Sequence, residues 1–294
     1  TISSSREALQ QEAWQKVSAN ARAEAATITQ LLQKALAYDQ QLAGVVQLAI
    51  SKELPLTRPN VVALMKKTLT TDPQIYGVLA GFEPNALDEQ DSNYVGQKEL
   101  GSDSNGRFVP YYYRDGGSIG TDLLYSITKT DTDSFGNPAN DYYSCPQQHK
   151  SACLIDPYVF DVNGKQVMLS TISSPLFIDG DFKGIIGVDL EVTALNQQAK
   201  SLNNNIYDGQ GETLIVSAAG VITGTSGNDN MLGKHAKELL GNNWKQYLQQ
   251  QEQREELNDN LRISVPISVP GMSRNWAIIV TLPYKVVLAG ADQL

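Results

Sequence analysis

No proline occurs before Pro55, and that absence constrains the fold more than any other feature of the chain. Residues 1–53 are rich in Ala, Gln, Leu and Glu, which favour or tolerate a helix, and only Gly44 interrupts them. Ile28, Leu31, Leu32, Ala35, Leu36, Leu42, Val45, Val46, Ala49 and Ile50 recur at threes and fours, which draws an apolar stripe down one face. The pattern predicts one long helix over 1–53. At 1.5 Å per residue it would reach about 75 Å, more than a compact domain is wide. Such a helix must run along more than one domain or project beyond one. Two helices broken near Gly44 are the alternative.

From Pro55 the pattern changes. Thr57-Arg-Pro-Asn60 is a helix-start signal, and Val61, Leu64, Met65 and Leu69 predict a short helix ending at Asp72-Pro73. Residues 75–82 then read as an apolar strand between Pro73 and Pro84. Residues 106–114 read as a strand between a Ser-Asp-Ser-Asn-Gly turn and Asp115-Gly-Gly, a hairpin signal. Residues 155–162 and 165–177 are joined by Asn163-Gly164, a preferred two-residue hairpin turn. Asp179-Gly180 leads into a strand over 182–190, so 73–190 reads as mostly antiparallel sheet. A short helix over 195–202 ends at Asn203-Asn-Asn205. A hairpin (212–217 with 220–223), a polar helix over 239–257 and a hairpin (261–269 with 275–282, around Pro270-Gly271) complete the chain. The expected class is α+β: the long helix 1–53, a helix-plus-sheet module 54–203, a smaller one 204–284, and a lead-out 285–294.

Composition excludes several functions. The 294 residues amount to roughly two domains. Acidic residues outnumber basic ones 32 to 23, for a net charge of −9. That balance disfavours nucleic acid or an anionic membrane surface as the main partner. Two His and two Cys leave no set for a multi-His or cysteine-rich metal centre. No Gly-x-Ser-x-Gly elbow, His-Glu-x-x-His or phosphate-binding glycine loop is present, so no enzyme activity or cofactor is expected. No apolar run approaches the roughly 18 residues of a membrane span, and the chain reads as a soluble portion of something larger. Cys145 and Cys153 lie eight apart in a polar, loop-like stretch. A short disulfide loop and an oxidising compartment fit that spacing; free thiols, or a metal held together with His149, are the alternatives.

Four stretches are more specific: Tyr76-Gly-Val-Leu-Ala-Gly-Phe-Glu-Pro-Asn-Ala-Leu-Asp88, Gly106-Arg-Phe-Val-Pro-Tyr111, Asp156-Pro-Tyr158 and Gly180-Asp-Phe-Lys-Gly-Ile-Ile-Gly-Val-Asp-Leu190. With the element order, they resemble the double Cache sensor domain of bacterial transmembrane receptors, chiefly methyl-accepting chemotaxis proteins, and in particular its branch that recognises amines and polyamines. The resemblance implies two Cache (PAS-like) modules, each an antiparallel sheet flanked by helices. The distal module would bind a small ligand, and residues 285–294 would lead toward a membrane span. It also implies a periplasmic domain of a homodimeric inner-membrane receptor, whose output is chemotaxis or, alternatively, a histidine kinase or nucleotide cyclase.

Amino-acid-binding members of that family carry Arg-x-Trp-Tyr, then Tyr-x-Asp, then Asp at the end of a Gly-rich strand. The matching positions here are Asn140-Asp141-Tyr142-Tyr143, Tyr158-Val159-Phe160 and Gly187-Val188-Asp189. The Arg that would serve a ligand carboxylate is absent, while the Asp and Tyr residues that would serve an ammonium remain. An amine ligand is therefore expected. An amino-acid sensor, with Arg114 supplying the carboxylate partner, is the alternative, as is a contact domain without a ligand.

Physical chemistry supports the same residues. Ile185, Gly187 and Asp189 share a strand face, where a carboxylate among apolar neighbours needs a partner and Gly187 would leave room for one; capping of the following helix is the plainer role for Asp189. Tyr142, Tyr143, Tyr158, Phe160, Tyr111 and Tyr113 offer π-faces to an organic cation, or serve as half-buried sheet packing. Asp141 and Asp156 would attract cations at the pocket mouth, or are solvated turn residues. Asp131-Thr-Asp133-Ser-Phe-Gly136 resembles half a calcium loop but lacks the distal Glu, and turn chemistry accounts for it equally.

Overall fold

A computed structural model describes residues 2–162 and 164–291. Asn163 of the expected hairpin turn, and residues 292–294 of the lead-out, lie outside the described residues. The chain divides into two compact units, one built from residues up to Leu31, Val192–Val269 and a final segment from Asn275, the other from Leu32–Glu191 and Pro270–Arg274. Helix α1 (Ile2–Ile50) is continuous through Gly44 and contributes residues to both. Its buried positions, among them Trp14, Val17, Ala21, Ala25, Ile28 and Leu32, follow the expected spacing.

The Leu32–Glu191 unit continues with α2 (Arg58–Thr71), β1 (Ile75–Phe82), β2 (Pro110–Asp115), β3 (Ser118–Leu123), α3 (Asp141–His149), β4 (Cys153–Leu154), β5 (Tyr158–Val162), β6 (Lys165–Ile178) and β7 (Asp181–Glu191). All its strand pairs are antiparallel, in the order β3-β2-β1-β7-β6-β4, and β5 also pairs with β6. Helix α3 corrects the loop-like reading of 145–153 over its first five residues, Cys145 to His149. Tyr142, Tyr143 and Cys145 bury one side of it, and that burial outweighs the Pro146 within. Cys145 and Cys153 form a disulfide with sulfurs 2.11 Å apart, tying α3 to β4. Replacing both with Ser is expected to lower stability by about 2–3 kcal/mol, the chain-entropy value for so short a loop. Urea denaturation would measure it, and a loss under about 1 kcal/mol would mean that packing alone holds α3 to β4.

The second unit comprises α4 (Val192–Tyr207), β8 (Glu212–Val216), β9 (Ile222–Thr225), α5 (Lys237–Leu240), β10 (Gln253–Leu257), β11 (Asn260–Ile267), β12 (Trp276–Pro283) and α6 (Tyr284–Ala291). Its sheet runs β10-β11-β12-β8-β9. Two expectations need correction. Asn203-Asn204-Asn205 do not end α4, because the stripe Val192, Leu195, Ala199, Leu202 continues to Tyr207 and keeps the last turn packed. The polar helix over 239–257 is not there. Its last five residues form β10, whose burial alternates, and it turns at Asn258 (φ 48°) to pair with β11. Period two with one wet face looks, from composition alone, like a solvated helix. Among the described residues no helix is long and apolar enough to cross a membrane.

Candidate ligand cavity

β1 and β7 pair so that Gly77 stands opposite Asp189. A Cβ at Gly77 would lie 2.6 Å from the Tyr111 hydroxyl, so the missing side chain lets Tyr111 cross β1 and reach that carboxylate. Tyr111 Oη donates to Asp189 Oδ2 at 2.6 Å, and Tyr158 Oη donates to Oδ1 at 3.4 Å. Thr171 Oγ1, opposite Asp189 in the β6–β7 register, also donates to Oδ1 and accepts from Tyr158 Oη at 2.7 Å, so the single Tyr158 proton is divided between Thr171 and Oδ1. Asp189 is fully buried. Burial pushes its carboxyl up to about 6, against the pull of the three hydroxyls toward the ionised form. Among the described residues no Lys, Arg or His comes within ion-pair reach of it.

In front of this cluster lies a cavity of about 440 Å³. Tyr111, Tyr142, Tyr158, Phe160 and Asp156, all singled out by sequence, wall it. Phe160 meets Tyr111 edge-on, centroids 4.9 Å apart at 87°. Tyr142 bonds Ser126 at 2.8 Å through its hydroxyl. Asp156 accepts from Asn137 Nδ2 at 2.7 Å. Asp189 stands behind Tyr111 and Tyr158 rather than on the wall. Tyr113 lies one ring further back, 5.7 Å from Tyr111.

Other expected residues lie elsewhere. Tyr143 turns away to Phe182 (centroids 5.3 Å apart) and accepts from Arg107 Nη2 at 3.3 Å. Asn140 donates to the Ile127 carbonyl at 2.9 Å, which fastens a loop. Gly187 makes room for Leu79, whose Cγ would be 3.0 Å from a Cβ there, not for a ligand. Arg114 donates to the carbonyls of Ile75, Leu69 and Asp72 at 2.7, 2.5 and 2.6 Å, which closes the end of α2. Asp141 is on the cavity wall, but Arg274 holds both its oxygens, at 2.5 and 2.9 Å. Asp133 accepts from its own loop's amides, Phe135 and Asn137.

Sequence reasoning missed Thr171 and Lys129. Only the β6–β7 register brings Thr171 to Asp189. Lys129 is an exposed cation on the cavity wall, on a loop without periodicity. A larger hollow of about 1240 Å³ is walled by the loop around Asn85–Arg107. Its acids are engaged: Asp91 by Arg58, Asp103 by the amides of Asn105 and Arg107, and the exposed Glu89 by Lys52 at 3.6 Å. No carboxylate with converging aromatics stands there.

Comparison with known proteins fits this geometry. Residues 61–197 match the model of the methyl-accepting chemotaxis protein-like first PDC sensor domain. The methyl-accepting chemotaxis protein TlpQ of Pseudomonas aeruginosa is 31% identical over 247 residues, 80% of this chain. The chain spans 34% of TlpQ's length. The extracellular domain of mmHK1S-Z2, a histidine kinase by name, superimposes with a TM-score of 0.78 at 24% identity, covering 94% of this chain and 99% of that one. The ligand-binding domain of the Pseudomonas fluorescens chemoreceptor CtaA, solved with L-isoleucine, gives 0.58 at 15% identity, covering 97% and 98%. By sequence, residues 61–197 are thus similar to the first sensor domain of chemotaxis receptors, and by fold the chain is a mixed α+β protein like the Cache/PDC domains.

Proposed function

We propose that this chain is the extracytoplasmic sensor domain of a chemoreceptor and that its 440 Å³ cavity takes a small organic cation, an amine or polyamine. The observation that carries the reading is the buried Asp189 carboxylate, held by three hydroxyls and by no cation, behind two tyrosines of the cavity wall. An ammonium against those hydroxyls would compensate a charge that burial makes costly. The aromatic walls add cation–π attraction. Both guanidinium groups that could have served a ligand carboxylate nearby, Arg114 and Arg274, are engaged elsewhere. The mechanism in this reading is a population shift: ligand binds one arrangement of the unit better than another, and the shift cannot exceed that difference in affinity. A periplasmic location in a homodimeric inner-membrane receptor goes with the reading.

Lys129 supports a second reading, an amino-acid ligand whose carboxylate meets it on the wall, as does the L-isoleucine in the CtaA neighbour. Paired calorimetric titrations decide between the two, putrescine against ornithine and histamine against histidine. The amines are expected to bind at least about tenfold tighter, since a buried carboxylate without a paired cation is costly. Tighter binding of both amino acids, abolished by Lys129→Gln, would establish the second reading instead.

A further inference from the structure

Two buried carboxyl groups hang on one strand. Thr171 on β6 donates to Asp189. Three residues on, Ser174 Oγ donates to Asp39 Oδ2, and Asp39 belongs to α1. Side chains alternate along a strand, so residues three apart face opposite sides of the sheet. β6 therefore stands between the candidate site and the long helix, joined to each by a hydroxyl.

Asp39 is an anomaly that packing does not explain. It is fully buried, its Oδ1 has no hydrogen-bond partner, and burial pushes its carboxyl well above the ordinary range. Its neighbours on the helix face are apolar: Ala35, Leu36, Leu42 and Ala43. An aliphatic residue there would avoid the desolvation penalty. What the carboxyl adds is direction. Within the Leu32–Glu191 unit, Lys34 and Tyr38 tie α1 to Asp72 at the end of α2, at 2.7 and 3.3 Å. Ser174–Asp39 is the side-chain hydrogen bond from α1 to the seven-stranded sheet among the described residues. The strand that carries it is firmly seated. β6 pairs with β7 in unbroken register from Leu169 to Leu176, and with β4 at Ile172 and Ser173.

We propose that the Ser174–Asp39 hydrogen bond links the ligand site to α1, with Asp39 as the positioning residue that makes the helix follow β6. The link deepens the sensor reading above and rests on it for its meaning. A change of charge at Asp189 alters what Thr171 is held to. β6 carries the resulting adjustment about 10 Å along its length to Ser174. A directional bond in a dry interface transmits it, where a greasy contact would slide.

The test needs no ligand. Asp189→Asn removes the charge at the site, and hydrogen exchange of residues 32–50 reads the helix. The substitution is expected to change exchange of that segment at least about threefold in an otherwise unaltered chain. Asp39→Ala is expected to abolish this response, and Asp39→Asn, which keeps an acceptor for Ser174, to retain it. Should Asp39→Ala fail to fold, Ser174→Ala cuts the same bond from the strand. A helix indifferent to Asp189→Asn, or one that responds equally without the Asp39–Ser174 bond, overturns the link. Putrescine titrated against the same chains separates this outcome from the amine reading. An Asp39-dependent response in a chain that gives no heat with putrescine supports the link and overturns the amine. Bound putrescine with an Asp39-independent response does the reverse.

Discussion

Asp189→Asn is expected to weaken amine binding by roughly ten- to a hundredfold, the loss of a carboxylate charge that stands one hydroxyl behind the ammonium. It is also expected to make the ligand-free protein harder to unfold at neutral pH. Burial raises the Asp189 carboxyl to about 6, from 3.8 for an ordinary one. The folded protein therefore holds this proton more tightly than the unfolded chain does. The contribution to stability is present in full below about pH 3.8 and is lost as pH rises through 6. At neutral pH the deficit is roughly 3 kcal/mol, about two pK steps of about 1.4 kcal/mol each. Asn carries no such deficit, so urea denaturation should show the variant gaining on the parent as pH rises. Binding of a cation near pH 6 should also drive the remaining proton off Asp189, visible as a buffer-dependent binding enthalpy. Unchanged affinity in the variant would remove Asp189 from the site.

The largest loss of stability is expected at Arg58. Its side chain is fully buried on the first turn of α2, stacked 4.3 Å from the Tyr94 ring. It donates to both oxygens of Asp88 at 2.9 Å, to Asp91 at 2.5 Å, to Ser102 at 2.9 Å and to the Gly106 carbonyl at 2.5 Å. Gly106 itself has φ +79°, and a Cβ there would collide with the Asp91 carbonyl at 1.7 Å, so only glycine brings that acceptor to Arg58. Arg58→Ala leaves two carboxylates facing each other without their cation. Breaking a buried pair in this way costs about 3–5 kcal/mol. An unfolding free energy in urea within about 1 kcal/mol of the parent would mean that the loop over residues 83–109 is held by its own turns.

Most elements of the fold were legible in the sequence because their signals are local and periodic. The stripe from Ile28 to Ile50 specifies one face of a helix wherever that helix lies. The apolar run into Asp189 specifies a buried strand with a carboxylate near its end. Pairs such as Tyr158 and Phe160, two apart, share a face by geometry alone, and the cavity wall holds both. Helix α3 and strand β10 were not legible, since burial of Tyr142 and Tyr143, and pairing with β11, outweigh weak local preference.

What the side chains do at the site was decided by tertiary structure. Arg114 looked free for a ligand and instead holds three carbonyls. Asp141 looked like an attractant for cations and is paired with Arg274, 133 residues away in sequence. Thr171 reaches Asp189 only through strand register, and Arg58 finds its two carboxylates only once a loop has closed over it. Sequence by itself determined where the chain could be helix or strand and that a carboxylate would be buried beside aromatic rings, because periodicity and residue chemistry are properties of neighbours along the chain. Which charges remained unpaired was left to the folded arrangement, because each partner is chosen by distances across the sheet that no local pattern encodes.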